Sequence, residues 1–198
     1  MDKIKKTYHH KDLKNELIKK GIEIVNKEGI NLFSLRKVAT ACKVSHAAPY
    51  SHFKNKEELL NKMQIYITKE FSEVLENSVK ENKNNIELLK ELGKTYVNFF
   101  IDNPSYYKFL YYQSDIKIDL NLSIADEKNY KPYIIYKNIV LPLFKNHNYS
   151  KEKQIDILIT IWSFIHGLTA LATTKNIEYK NDWKEKLNDF INIFQLFF

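Results

Sequence analysis

Apolar residues recur at spacings of three and four along most of this chain, which predicts helices joined by short loops and no strand. Leu13, Leu17, Ile18, Gly21, Ile22 and Val25 form the stripe of a first helix, and Gly29 is placed as its C-terminal cap. Ser34 stands as N-cap of a short second helix ending near Cys42, with Phe33 set to pack on Val38 as a hydrophobic staple. Ser45 is the next expected N-cap, opening a third helix through about Phe53. Asn55-Lys56-Glu57-Glu58 then reads as a capping-box variant at the start of a long fourth helix toward Asn82. Asn103-Pro104 begins another helix that runs to about Gln113, and residues 114–126 show no period and predict a loop. Pro132 opens the next helix, which Pro142 should kink or end. Ser150 caps a long apolar helix to about Lys175, and Trp183, Leu187, Phe190, Ile191, Phe194 and Phe197 mark a last one.

Charge changes this picture by locating a partner. Residues 1–60 carry 12 Lys, 1 Arg and 7 Asp/Glu, net +6 of the chain's +7, so the basic excess lies in the N-terminal third. That asymmetry points to a polyanion, nucleic acid or an acidic membrane surface; charge alone would equally suit Lys-rich solvated faces. The second and third predicted helices, separated by a turn of three or four residues beside this basic surface, have the geometry of a DNA-reading helix-turn-helix. In that arrangement the second of the pair reads bases. Here it is Ser45-His46-Ala47-Ala48-Pro49-Tyr50-Ser51-His52-Phe53, whose small residues let the backbone sit close to base edges, with Ala47 and Ala48 able to touch thymine methyls. The helix starts at Ser34 and Ser45 offer unpaired N–H groups as phosphate seats.

The run Phe33-Ser34-Leu35-Arg36-Lys37-Val38-Ala39, followed by Val44-Ser45-His46-Ala47-Ala48-Pro49-Tyr50-Ser51-His52-Phe53-Lys54-Asn55-Lys56-Glu57-Glu58-Leu59-Leu60, resembles the TetR-family DNA-binding domain almost end to end. The match covers about a quarter of the chain, and its combined spacing is what makes it specific. It implies an all-α chain: an N-terminal arm and three-helix DNA-binding head over residues 1–54, then a helical-bundle ligand-binding and dimerisation body over 55–198. It also implies a transcriptional regulator, a repressor released from a palindromic operator by a small apolar or aromatic effector, acting as a homodimer in the cytoplasm. The resemblance places Ser34, Arg36, Ser45, His46, Ala47, Ala48, Tyr50, His52 and Lys56 at DNA, with Tyr50, His52 and Lys56 matching phosphate-contacting positions. Packing between helices remains open for Tyr50, and a solvated ring for His46. Arg36 is the sole arginine among 31 basic residues, and a guanidinium fork can read guanine bidentately where lysine cannot. Three positions need comment against the family pattern: Lys43 stands where a glycine is usual in the turn, Pro49 forfeits one backbone bond inside the third helix as a variant of the motif, and Ser51 stands where a basic residue is common.

Farther along, Trp162, His166 and Gly167 resemble the W-x-x-x-H-G signature of one class of TetR sensor domains. Of 27 aromatic residues only Tyr8, Phe33, Tyr50 and Phe53 precede residue 61, so the body holds the rest. Tyr96, Phe100, Tyr107 and Tyr111, from a crowded aromatic stretch, together with Trp162 and His166, are the expected ligand-binding residues; ordinary core packing is the alternative for each. The last two long helices are expected to form the dimer seam, with Gly167, Ala170 and Thr174 permitting close approach.

Other chemistries find little to stand on. The six histidines show no metal-ligand spacing, and no phosphate loop, nucleophile elbow or Cys/His pair appears, so neither catalysis, a metal nor a cofactor is expected. Cys42, the only cysteine, excludes an internal disulfide and fits a reducing compartment, with a thiol switch as a minor alternative. There is no signal-peptide pattern and no uninterrupted apolar run of membrane-spanning length, so no membrane partner is expected. A membrane-surface or protein-binding helical module, and an enzyme built on a helical bundle, remain the competing classes.

Overall fold

The computed structural model describes residues 12–80, 84–122 and 129–195. Among these residues the chain is all-helical, without a strand: α1 Leu13–Glu28, α2 Leu35–Ala41, α3 Lys56–Ser78, α4 Asn85–Asp102, α5 Pro104–Tyr112, α6 Lys131–Val140, α7 Lys151–Thr173 and α8 Trp183–Gln195. The basic arm at Lys3, Lys5, Lys6 and Lys11, the helix end expected at Asn82, Phe197 and the side chain of Phe194 lie outside the described residues. The chain divides into two compact units. One takes the residues up to Ile67 together with Ser105–Ile116, the other Thr68–Pro104 together with the residues from Lys117 onward.

In the first unit every residue of the predicted α1 stripe is buried. Gly29 closes the helix, its N–H bonded to the Val25 carbonyl at 2.8 Å and its backbone at φ 86°, ψ 157°, a region open in practice to glycine alone. Ser34 caps α2, its Oγ accepting from the Lys37 N–H at 3.3 Å. The other end of α2 is a Schellman turn. The Lys43 N–H bonds the Thr40 carbonyl at 3.1 Å and the Val44 N–H reaches back to the Ala39 carbonyl at 3.0 Å. This geometry requires a left-handed residue at its pivot, and Lys43 takes it at φ 55°. The side chain that departs from the family pattern therefore occupies the backbone conformation a glycine would adopt without strain.

The expected third helix is corrected. Residues 45–53 form a turn followed by one 3₁₀ turn, Ala48–Ser51. Pro49 has no N–H to give, so the Ser45 carbonyl is taken by Ala48 at 2.9 Å, Tyr50 bonds Ala47 at 3.1 Å, and the segment tightens into three-residue steps. Ser45 opens the turn through this carbonyl, and not through its hydroxyl as a helix N-cap would. Just beyond, Asn55 Oδ1 accepts from the Glu58 N–H at 2.8 Å while Glu58 Oε2 accepts from the Lys54 N–H at 2.7 Å, a reciprocal cap that starts α3.

Residues 105–116 belong to this unit because α1 holds them. Asn26 Nδ2 donates to the Ser105 carbonyl at 2.7 Å, Lys108 Nζ to the Asn26 carbonyl at 3.0 Å, and Gln113 Nε2 to the Val25 carbonyl at 3.3 Å.

The second unit is built around α4, which packs on α6, α7 and α8. α4 is a helix beyond those predicted above, although Leu89, Leu92, Gly93, Tyr96, Val97 and Phe100 recur along it at three- and four-residue steps, and Asn84 caps it, its side chain accepting from the Glu87 N–H at 3.0 Å. At Gly93 an added Cβ would come within 3.0 Å of Ile165 Cδ1, so glycine lets α4 and α7 approach closely. Val97, Leu168 and Leu187 form a buried cluster joining α4, α7 and α8, with Phe164, Trp183 and Phe190 against it. Pro142 ends α6 at Val140 and the chain continues as a 3₁₀ turn, Leu141–Phe144. Ser150 caps α7 as its spacing predicts, accepting from the Lys153 N–H at 3.1 Å. α7 is long and apolar enough to cross a bilayer, with mean hydropathy 1.7 over its best window, yet only 17% of that window is buried within the chain.

Candidate nucleic-acid interface and ligand cavity

In the first unit the reading segment is presented by what lies under it. Val38, Ala39, Cys42, Pro49 and Phe53 are buried, so α2 and the 45–53 turns are anchored from one side and their other residues face outward. Arg36, Ser45, His46, Ala47 and Tyr50 are exposed, Tyr50 to 54%, and Ser34, Ala48, His52 and Lys56 are half-buried. The Arg36 guanidinium meets no carboxylate among the described residues, whereas its neighbour Lys37 is paired with Glu28 at 2.5 Å. Lys56 is more engaged than a free phosphate contact would be. Its Nζ donates to the Ile30 carbonyl at 2.6 Å and lies 5.9 Å from the Phe33 ring centre, which ties α3 to the loop before α2.

Thr40 is a residue that spacing alone does not reveal. Its hydroxyl lies 3.0 Å from the Arg36 carbonyl and 3.2 Å from His46 Nε2. A hydroxyl has one proton, and the carbonyl can only accept it, so Thr40 receives its second bond from His46 Nε2–H. In the neutral ring that leaves Nδ1 as an acceptor. His46 is thereby held in one tautomer and one orientation on the exposed face. Cys42 is buried, and burial pushes its thiol up to about 11, which keeps it a neutral packing group.

The aromatic stretch expected to line one pocket is divided at Asn103-Pro104. Tyr107 and Tyr111 fall in the first unit, where they pack together at 5.1 Å between ring centres, Tyr107 fully buried. Tyr96 and Phe100 fall in the second unit. Phe100 is wholly buried against Phe71 at 4.7 Å and Tyr96 at 5.3 Å. Trp162 stands among Tyr96, Tyr133 and Tyr136 at 5.5, 5.4 and 5.3 Å, and His166 Nδ1 is 3.0 Å from the Tyr96 hydroxyl. Burial holds the His166 imidazole below its ordinary value and so keeps it neutral.

Beside this group the second unit contains a cavity of about 680 Å³. Tyr96, Tyr136 and Trp162 form part of its wall; Phe100 and His166 stand behind the wall, and Tyr107 and Tyr111 take no part in it. The remaining lining comes largely from residues the pattern assigns to core stripes, such as Leu89, Ile157 and Ile161. A helical face that borders a cavity and one that meets another helix have the same spacing, so sequence alone offered no signal to separate them.

Residues 17–63 match the family described as bacterial regulatory proteins, tetR family. Over 174 residues, 87% of this chain and 85% of the relative, the sequence is 26% identical to an uncharacterised HTH-type transcriptional regulator, YobS, of Bacillus subtilis. Solved structures share the fold across nearly the whole length. A protein of unknown function from a Rhodococcus species superposes with TM-score 0.72 at 21% identity, covering 96% of each chain. The transcriptional regulator FadR of Bacillus subtilis, in complex with stearoyl-CoA, does so with TM-score 0.69 at 16% identity, covering 90% of this chain and 96% of that one.

Proposed function

This chain is a DNA-binding transcriptional regulator of the TetR family, and from that premise we propose that it is a cytoplasmic repressor that binds a palindromic operator as a homodimer and leaves it when a small, largely apolar effector enters the second unit. The observation that carries the DNA reading is the exposed row of Arg36, Ser45, His46, Ala47 and Tyr50, held out by a buried underside, with Arg36 unpaired by any described carboxylate. Arg36, His46 and the two alanines specify bases, while Ser34, Ser45, Tyr50, His52 and Lys56 position the backbone. Selection from random double-stranded DNA with the purified protein should return a two-fold symmetric site. A pool that stays unenriched would refute the reading.

The dimer rests on surface left uncovered. Leu171 and Ile193 are 47% and 52% exposed on α7 and α8, and an added Cβ at Gly167 would meet nothing within 4 Å among the described residues. Two copies joined over these faces bury the apolar surface of α7 and give the two-fold symmetry that a palindrome needs. The effector reading is supported by the cavity, whose volume lies within the ~300–1,000 Å³ range of ligand sites. The stearoyl-CoA held by the FadR neighbour supports a ligand with a long apolar part. Tyr96 and Trp162 line the site directly, backed by His166 and Phe100. Release follows from linkage: an effector that favours a dimer shape with wrongly spaced reading heads weakens DNA binding by its differential affinity for the two shapes, typically ~1–3 kcal/mol.

A further inference from the structure

The cavity of the second unit is polarised, and its polarity specifies a ligand. Its inner wall is made by buried residues, Leu75, Leu92, Tyr96 and Tyr136 among them, with no charged side chain. The hydroxyls on that wall are already engaged: Tyr136 donates to the Leu158 carbonyl at 2.7 Å, and Tyr96 is bonded to His166. A molecule entering there meets rings and alkyl groups and needs no polar atom of its own.

The rim is different. Its exposed members are Ile86, His147, Tyr149, Lys153, Asp156 and Thr160, with half-buried Lys90 beside them. Ile86 and Lys90 lie in the first two turns of α4, Lys153 and Asp156 in the first two turns of α7, Thr160 in its third, and His147 and Tyr149 on the loop before α7. Among the described residues neither Lys90 nor Lys153 lies within ion-pair distance of a carboxylate; the nearest polar partner of Lys90 is the neutral Asn192 amide at 3.4 Å. Other lysines of this unit are paired, Lys131 with Glu76 at 2.9 Å and Lys94 with Glu91 at 3.8 Å. Glu87 and Glu152 occupy the first turns of the two helices but do not line the cavity. A cationic head at the rim would face two ammonium groups and one carboxylate, Asp156. An anionic head would face the same set with the balance in its favour. His147, stacked on Tyr149 at 4.9 Å with the rings 4° from parallel, adds a flat cover over this end.

We propose that the effector is an amphipath carrying an anionic group at one end, with Lys90 and Lys153 at the cavity rim binding that group and its apolar remainder extending to Tyr96, Tyr136 and Trp162. This deepens the effector reading given above and rests on it. A free carboxylate and the phosphates of an acyl thioester of coenzyme A would present the same chemistry to the two lysines.

The test is a calorimetric titration of the full-length protein with straight-chain carboxylates of increasing length. The matched alcohols, the matched alkylammonium ions and the coenzyme A thioester of one acid are titrated alongside, and each compound is also scored for release of the selected DNA site. Carboxylate or thioester should bind at least about tenfold more tightly than alcohol or ammonium of equal length, and each added methylene should tighten binding about fourfold until the inner wall is reached. The double variant Lys90→Gln, Lys153→Gln should bring the anion down to the level of the alcohol and leave the alcohol unchanged, with an unaltered thermal melt showing that it folds. Whichever of free acid and thioester binds more tightly identifies the source. Alcohols that bind and release DNA as well as the anions do, or a double variant that retains the anion preference, would overturn the amphipath while leaving an apolar effector standing. If no compound of any series binds, both readings fall.

Discussion

Lys43 shows how much one backbone angle can hold. The Schellman turn at the end of α2 places it at φ 55°, a conformation that costs a side-chain-bearing residue ~1–2 kcal/mol. Lys43→Gly removes that strain but gives back ~0.5–1 kcal/mol through glycine's greater freedom in the unfolded chain. The variant should therefore gain up to about 1 kcal/mol in urea unfolding. An unchanged or lower midpoint would show that the turn carries no strain. On the face proposed to meet DNA the two basic side chains differ in kind. Arg36 is exposed and free of a described carboxylate, so Arg36→Ala should cost ~1–3 kcal/mol of operator affinity and broaden the selected site at one position. Lys56 spends its ammonium on the Ile30 carbonyl, so Lys56→Ala should lower the thermal midpoint as well as weaken all DNA sequences alike. A Lys56→Ala variant with wild-type stability would return Lys56 to the status of a plain phosphate contact.

At the scale of elements, the predicted caps at Ser34, Asn55 and Ser150 are present because each depends on residues three or four apart, a range the sequence states directly. The 45–53 segment departs from a helix because a buried Pro49 interrupts so short a run that no second turn remains to carry it. The packing of α4 on α7 carries a pH dependence. His166 is kept neutral by burial, so its folded-state value lies below the unfolded one of about 6.5. Above that value both states are neutral and stability is at its full level; below it the unfolded chain takes up a proton the folded chain resists, and stability falls. Denaturant midpoints should drop as pH is lowered through about 6.5, and His166→Asn should flatten that drop. An equal slope in the variant would place the sensitivity elsewhere.

For the whole molecule, the apolar surface of α7 has two outlets, the packing on α4 within the chain and a face that the chain does not cover. Gly167→Leu tests the second. An added Cβ there meets no atom of the described residues within 4 Å, so the folded protomer should keep its thermal stability, while light scattering should shift toward the 23.6 kDa species and operator affinity should fall with it. A variant that stays dimeric would remove this face from the interface.

Helices α1 and α2, the caps at Ser34, Asn55 and Ser150 and the odd residue at Lys43 were legible in the sequence, because each follows from neighbours within a turn or two along the chain, while the helix expected at 45–53 is a 3₁₀ turn. The aromatic stretch from Tyr96 to Tyr112 was not. Its residues look like one cluster in sequence, yet the break at Asn103-Pro104 sends Tyr107 and Tyr111 to the unit held by Asn26, and leaves Tyr96 and Phe100 with Trp162. Nor could periodicity tell that Ile157 and Ile161 border a cavity, that Lys90 and Lys153 both line it, or that Thr40 turns His46. Local spacing determines which face of a helix is apolar; only tertiary packing decides what that face meets, because the partners stand seventy residues apart, as Tyr96 and His166 do, or more, as Val25 and Gln113 do.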